Sequence, residues 1–246
     1  MLAEPSLSPY RRAGLRLVGD EEARATGVLV SFSDRHGGVS RPPYDSLNLA
    51  ARVGDDHAAV MENRARVARA VAFRAERLVL ARQVHGAELI EVASEASGVI
   101  GEADGLVVRG PGPVAGILTA DCAPVVVAGE DGIALLHAGW RGLVAGVIQR
   151  GVEALARAAR AWIGPSIRSC CYQVGPDVVE AFEAAGLPVA AEDRVDPADA
   201  ARAALQAAGV ASVASTDECT ACSPRYFSYR RDGVTGRQGA FAGYVV

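Results

Sequence analysis

The chain has 246 residues, 50% of them hydrophobic, and a formal net charge of -4. This composition can supply a large buried core, and it excludes the strongly basic surface of proteins that bind nucleic acids or anionic membranes. All 25 basic residues are Arg, which excludes Schiff-base, pyridoxal-phosphate and P-loop chemistry that depends on Lys.

Residues 1–26 carry no apolar run of the kind that marks a signal peptide, and no later stretch has the length of a membrane-spanning helix. We therefore expect a lead-in segment, residues 1–26, and a single domain that works in the cytoplasm. The number of cysteines, five, is odd, so we expect reduced thiols and no disulfides.

Short runs rich in Val, Ile and Leu, bounded by Gly, Pro or Asp, predict a series of strands. In chain order these are Val28–Phe32, Leu78–Val84, Glu88–Val92, Gly105–Val108, Val114–Leu118, Val125–Ala128, Ile133–Leu136, Val210–Ala214, Tyr226–Tyr229 and Ala240–Val245. Many of them follow one another without a helix between them. The pattern predicts mixed sheets flanked by helices, in a single layered α/β (α+β) domain.

Four helices are predicted between these runs. Asp55 or Asp56 caps the first, which runs through Val71. A second has an apolar face over residues 144–155. The other two have a Pro in the first turn and end at a Gly: one runs from Pro176 to Gly186 and one from Asp196-Pro197 to Gly209.

Three metal-ligating residue types come directly after apolar runs. They are His85 in RQVHG, Cys122 in TADC and His137 in HAGWRG. Junctions between strands and loops are where functional side chains are held on rigid elements. Two imidazoles and a thiolate with one open position are typical of a catalytic zinc site, and copper also accepts this set. Spacing alone also allows each residue to be an ordinary part of the core.

The same residues allow a second hypothesis. Cys122 and His137 could form a nucleophile–base pair, with Asp121 as an orienting group or proton carrier. Without a metal, this arrangement indicates a cysteine hydrolase that acts on an amide.

The remaining cysteines form two pairs in the sequence, Cys170-Cys171 and Cys219-Thr220-Ala221-Cys222. A structural zinc site on the second pair needs two further ligands, and none lies nearby in the sequence. Adjacent cysteines rarely bind the same metal. We therefore expect these residues to be buried structural thiols.

Two segments combine Arg with glycine turns. SDRHGGVS places Arg35 beside a Gly pair, and YFSYRRDGVTGRQ contains Arg230, Arg231 and Arg237. Such turns present donors to phosphate, although exposed Arg residues are also common on a solvated surface.

Taken together, RQVHG, ADG at 103–105, TADCAPV, HAGWRG, GPSI with CCYQVG, and FSYRRDGVTGRQ follow one another in order. With FSDRHGGVS and SLNLA they resemble the YfiH family of laccase-domain proteins, known as polyphenol oxidases and as purine nucleoside phosphorylases. The resemblance runs from about Val28 to the C-terminus. It implies an α/β/β/α sandwich and a metal site on His85, Cys122 and His137, with zinc as the expected ion and copper as the alternative.

The resemblance also implies the activity. The expected reactions are phosphorolysis of adenosine, inosine, guanosine and methylthioadenosine, and deamination of adenosine, in a monomer or homodimer. Cys122, His85, His137 and Asp121 are the expected catalytic residues; the expected contacts to nucleoside and phosphate come from Arg35, Asn48, Arg141, Arg230 and Arg231. A multicopper laccase needs many His ligands, and the chain has four His in all. Copper-dependent phenol oxidation at one site remains an alternative.

Overall fold

The computed structural model describes residues 4–245. Its strands are β1 (Ser8–Arg12), β2 (Leu15–Gly19), β3 (Val28–Ser33), β4 (Leu78–Arg82), β5 (Leu89–Val92), β6 (Gly98–Glu102), β7 (Gly105–Val108), β8 (Val114–Thr119), β9 (Ala123–Ala128), β10 (Ile133–Ala138), β11 (Arg160–Ile163), β12 (Val189–Ala191), β13 (Arg194–Val195), β14 (Ser212–Ser215) and β15 (Gln238–Tyr244). Its α-helices are α1 (Glu21–Ala25), α2 (His57–Val71), α3 (Trp140–Val144), α4 (Val147–Glu153), α5 (Pro176–Ala184), α6 (Pro197–Ala207) and α7 (Tyr229–Asp232), and a 3-10 turn covers Ala75–Arg77.

The strands form two large mixed sheets and one small hairpin. The first sheet has the order β1-β2-β3-β15-β8-β4-β6, and the second has the order β14-β11-β9-β10-β7-β5. The hairpin pairs β12 with β13. Parallel pairing occurs in both sheets, as between β4 and β8 in the first and between β5 and β7 in the second.

Three apolar layers hold this arrangement together. Between the sheets, Phe32 and Ile117 of the first sheet belong to one buried cluster with Leu135 and Trp162 of the second. Helix α2 covers the outer face of the first sheet, and α3 to α6 cover the outer face of the second, through the clusters that contain Val67 and Leu205. The order of layers is therefore helix, sheet, sheet, helices, which confirms the predicted α/β/β/α sandwich in a single domain.

Most predicted helix ends are where the capping residues indicate. Asp56 accepts a hydrogen bond from the Ala58 N–H at the start of α2, and Asp196 accepts bonds from the first turn of α6. The helix predicted over residues 144–155 is instead two helices. They are separated at Gly146, whose φ of +83° is strained for other residues.

One predicted strand was wrong, and several elements were not predicted. The segment Tyr226–Tyr229 is not a strand: Ser228 caps the short helix α7, and Tyr226 and Phe227 are buried as loop residues. The described part of the expected lead-in segment contains β1, β2 and α1, and β2 pairs with β3. Residues 1–3 of that segment lie outside the described residues. Within residues 4–245, no helix is both long and apolar enough to cross a membrane.

Candidate metal centre

The site lies where the chain repeatedly crosses from one sheet to the other. The connections from β4 to β5, from β6 to β7 and from β8 to β9 each leave the first sheet and enter the second. His85 lies in the first of these crossings, Asp104 in the second and Cys122 in the third. His137 lies on β10, paired with Pro124 of β9. The β-sandwich thus brings together residues that are far apart in the sequence.

His85, Cys122 and His137 meet as a compact triad. Their ligand atoms all lie within 4.8 Å of one another, and the two imidazole rings stand edge to face with centroids 4.8 Å apart. His137 is buried, Cys122 is half-buried and His85 is exposed. The three side chains therefore converge on a point that is closed on the protein side and open to solvent beyond His85.

Asp104 positions both histidines of this triad through hydrogen bonds. It is fully buried, and one of its oxygens accepts a 2.8 Å hydrogen bond from Nδ1 of His137. The two oxygens also accept the backbone N–H groups of Val84, His85 and Gly86 at 3.2, 2.9 and 2.6 Å. Burial by itself would raise the pKa of Asp104, but His137 and these N–H groups outweigh it and lower that pKa. Because Asp104 binds Nδ1 of His137, the Nε2 atom remains available to bind a metal ion.

The backbone around the triad is shaped to bring the ligands close. His85 has a φ of +61°, an uncommon conformation for a residue with a side chain, and its N–H is held there by Asp104. A Cβ placed on Gly139 would lie 3.1 Å from Sγ of Cys122 and 3.1 Å from Cδ2 of His85. A glycine at position 139 therefore leaves the space that Cys122 and His85 occupy.

The charges of Cys122 and His137 are coupled. Burial raises the pKa of the Cys122 thiol, but the charge and hydrogen bonds of His137 and His85 lower it to about 6. Burial lowers the pKa of His137, and Cys122 together with Asp104 raises it to about 9. The site therefore favours a thiolate beside an imidazolium near neutral pH, and a metal cation would take the place of the imidazolium proton.

Asp121, expected to be a catalytic acid or base, is held by two fixed donors. Its oxygens accept hydrogen bonds from Thr220 Oγ1 and from the Arg230 N–H, each at 2.7 Å. Asp121 is buried and has a φ of +101°. Because both oxygens are already engaged, this geometry favours a positioning role over proton transfer.

The predicted substrate-binding residues fall into two groups. Arg35 and Arg231 have guanidinium groups committed to the protein itself: Arg35 pairs with Asp45 and stacks on Phe227, and Arg231 binds Asp232 and several loop carbonyls. The Asn48 amide is fully buried and bonded to Ala50, Asp55 and the Arg237 N–H. These residues build the loops around the site.

Arg141 and Arg230 form the second group, and Tyr172 lies among them. The Arg230 guanidinium stacks over Tyr172 at 5.0 Å, and that of Arg141 over Trp140 at 4.3 Å; both Arg residues are exposed. Burial raises the pKa of Tyr172 to about 12, with a further rise from Cys122 and opposition from the two Arg residues. Tyr172 is therefore within electrostatic reach of the triad and of both guanidinium groups.

Asp104, Tyr172 and Arg237 are site residues that sequence reasoning did not assign. Asp104 was present in the ADG motif and Arg237 in the C-terminal Arg-rich segment, but nothing in their spacing indicated a partner. Burial lowers the pKa of Arg237, and Cys122 and Asp121 oppose this shift through their charge. Arg237 is thus a further guanidinium that interacts electrostatically with Cys122.

Comparison with known proteins shows the family to which the chain belongs. The sequence profile of the family described as "Multi-copper polyphenol oxidoreductase laccase" matches residues 29–244. The chain is 38% identical to "Purine nucleoside phosphorylase YfiH" of Escherichia coli K12, over 92% of this chain and 98% of that protein. The chain belongs to the YfiH family of laccase-domain proteins.

Solved structures support the same assignment. YlmD from Geobacillus stearothermophilus superposes with a TM-score of 0.86 at 32% identity, covering 94% of this chain and 96% of that one. The Bacillus licheniformis protein YfiH superposes with a TM-score of 0.85 at 29% identity, covering 92% and 96%. The α/β/β/α sandwich is therefore a fold that this chain shares with other members of the family.

The family description names a multicopper oxidase, whereas the E. coli relative is named a purine nucleoside phosphorylase. A multicopper site needs many His ligands, so the positions of the histidines help to decide between the two activities. Of the four His residues, only His85 and His137 lie at the triad, while His36 follows β3 and His57 begins α2. A trinuclear copper cluster therefore lacks ligands here.

The structure also has a surface cleft of about 670 Å³, lined by Arg41, Tyr44 and Asp56 among others. None of the triad residues lines this cleft.

Proposed function

We propose that this chain is a metal-dependent purine nucleoside phosphorylase that also deaminates adenosine. The observation that carries the proposal is the triad of His85, Cys122 and His137, which is open on the His85 side. Tyr172 interacts electrostatically with Cys122 and with the exposed Arg141 and Arg230. The E. coli relative bears the name purine nucleoside phosphorylase. The proposed substrates are inosine, adenosine, guanosine and methylthioadenosine, together with phosphate.

The donor set supports zinc as the metal and also accommodates copper. Two imidazole nitrogens and a thiolate, with a carboxylate bound to the far nitrogen of one imidazole, are the ligands and outer support typical of catalytic zinc. A zinc ion bound here would supply a Lewis acid with an open coordination position. His85 is the exposed member of the triad, so a nucleoside is proposed to approach from its side.

Phosphorolysis needs an anion to be held beside the sugar. A phosphate oxygen forms a bond to C1′ of the nucleoside, the bond from C1′ to the purine nitrogen breaks, and the purine leaves with a proton from phosphate. Arg141 and Arg230 are proposed to bind and neutralise phosphate, because both are exposed and both interact electrostatically with Tyr172. Arg35 and Arg231 are proposed to shape the surrounding loops instead.

Deamination of adenosine is proposed to occur at the same site, with water in place of phosphate. Water adds at C6, the amino group leaves as ammonia, and a proton must reach that leaving group. Asp121 is proposed to support this step indirectly, because its two oxygens hold Thr220 and the backbone of Arg230. The aromatic ring of Tyr172, stacked under Arg230, is proposed to pack against the purine.

The direct test measures products and bound metal in the same preparation. With inosine, hypoxanthine and ribose 1-phosphate should form only when phosphate is present, and adenosine should yield inosine without phosphate. Cys122→Ala should abolish both activities while the protein stays folded by circular dichroism. His57→Ala, which removes an exposed His at the start of α2, is the control and should be fully active. A fully active Cys122→Ala variant would refute the proposal.

A Cys/His hydrolase remains the second hypothesis because of one specific observation. Cys122, His137 and Asp104 are arranged in the order of nucleophile, base and orienting carboxylate. Hydrolysis of an amide by chelated, metal-free protein would favour this hypothesis. Phenol oxidation by copper-loaded protein, absent from the zinc form, would instead favour the oxidase name of the family profile.

A further inference from the structure

A second group of four sulfur atoms meets away from the His85–Cys122–His137 triad. Cys170 and Cys171 lie in the turn after β11, and Cys219 and Cys222 lie in the loop after β14. Their sulfur atoms all lie within 4.8 Å of one another. The sequence predicted separate buried thiols, but Cys170 and Cys222 are exposed, and the fold brings the two pairs together.

The distances among these sulfurs are close to those around a single tetrahedral ion. With a zinc–sulfur bond of about 2.3 Å, two sulfurs of a tetrahedron lie about 3.8 Å apart. Sγ of Cys170 lies 3.8 Å from Sγ of Cys171, and Sγ of Cys222 lies 3.5 and 3.2 Å from these two atoms. Small side-chain rotations would even out the spacing. The four thiols are too close together to surround a cluster of several iron atoms.

Backbone contacts also join the two loops. Ser166 forms a parallel bridge with Cys219, and the Thr220 N–H donates to the Ser166 carbonyl at 3.0 Å. The Arg168 N–H donates to Sγ of Cys219 at 3.4 Å, a contact that favours a thiolate. These backbone contacts hold the two cysteine turns beside each other.

Two guanidinium groups lie against the turns that carry the sulfurs. Arg194 donates to the carbonyls of Ser169 and Cys170, and Arg231 donates to those of Thr220, Ala221 and Ser223. A zinc ion with four thiolates is a net anion, and nearby Arg residues offset that charge. This gives Arg231 a role that does not involve substrate.

We infer that Cys170, Cys171, Cys219 and Cys222 form a closed tetrathiolate zinc site that joins the turn after β11 to the loop after β14. All four positions of the ion would be filled by protein, so the site is structural. Its loop carries Thr220, which holds Asp121 beside Cys122. A disulfide would use two of the four sulfurs and leave the other pair unexplained.

The test uses the Cys122→Ala variant, which lacks one ligand of the His85–Cys122–His137 triad. The protein is purified under reducing conditions without chelators, and its metal content and zinc X-ray absorption are measured. We expect one zinc per chain, surrounded by four sulfurs at about 2.3 Å. Changing Cys222→Ser in this background should remove that zinc, whereas Ser223→Ala should retain it. Wild-type protein should hold two zinc ions.

Several results would overturn the tetrathiolate site. These are Cys122→Ala protein with no zinc, protein with iron in place of zinc, zinc bound by fewer than four sulfurs, or a disulfide between Cys171 and Cys222 found by peptide mass spectrometry. The measurement on wild-type protein does not depend on the folding of any variant. It is also separate from the proposed function: if the triad binds no metal, wild-type protein still holds one zinc with only sulfur ligands.

Discussion

The carboxylate of Asp104 accepts a 2.8 Å hydrogen bond from Nδ1 of His137, and the same carboxylate accepts the backbone N–H groups around His85. One buried side chain therefore fixes both imidazole ligands. It sets the tautomer of His137 directly, and it sets the position of His85 through the main chain. The negative charge of Asp104 beside the triad also favours a cation bound by His85, Cys122 and His137.

Asp104→Asn is expected to weaken metal binding with little change in volume. The amide can accept at only one oxygen, and its NH2 group would face an N–H donor. We expect the zinc concentration that restores half of the phosphorolysis activity to chelated protein to rise about 10- to 100-fold. Asp131→Asn, which changes an exposed carboxylate paired with Arg109, should leave that concentration unchanged. Equal midpoints in the two variants would contradict the role of Asp104.

In metal-free protein, Cys122 is expected to react with iodoacetamide at unusually low pH. Its pKa is lowered to about 6, so the thiolate persists above that pH and is lost as the pH falls below it. An ordinary cysteine loses its thiolate near pH 8.5. Peptide mass spectrometry after timed alkylation gives the half-maximal pH. His137→Ala should shift it upward, because the imidazolium that stabilises the thiolate is gone; no shift would contradict the coupling.

Local signals in the sequence predicted most of the fold. Asp56 and Asp196 cap helices where their side chains can reach the first free N–H groups, and Val-rich runs became the central strands. The prediction did not include β1 and β2, because Arg11, Arg12 and Arg16 interrupt the short apolar runs of this hairpin. It also included a strand at Tyr226–Tyr229, because a short run rich in aromatic residues is typical of a strand. The structure instead buries Tyr226 and Phe227 in a loop.

The sites depend on information that spacing does not contain. Motifs indicated the triad, but Asp104 could be paired with His137 only once two sheets were packed together. The cysteine pairs are even less predictable, since residues near 170 and 220 meet only because β11 and β14 are parallel neighbours. Tertiary pairing of this kind has no signature in the local sequence.

Arg230 and Arg231 are adjacent in the sequence and are expected to behave differently. Arg230→Ala should raise the KM for phosphate more than it lowers adenosine deamination, because its exposed guanidinium is proposed to bind the anion. Arg231→Ala should lower the free energy of unfolding by about 2 kcal/mol, since several carbonyls lose a charged donor. Steady-state kinetics and urea unfolding of both variants check this difference. A higher phosphate KM in Arg231→Ala with unchanged stability would reverse the two roles.

Gly139→Ala tests whether the close approach of the ligands is required. The added methyl would lie 3.1 Å from both Sγ of Cys122 and Cδ2 of His85, so these two side chains must shift by a few tenths of an ångström. Because a metal site tolerates only small changes in ligand position, we expect loss of triad-bound metal and of both activities, with the fold retained. Gly110→Ala is the matched control, since a methyl there meets no atom within 4 Å. If Gly139→Ala keeps its metal and its activity, the ligands have more freedom than the packing around Gly139 indicates.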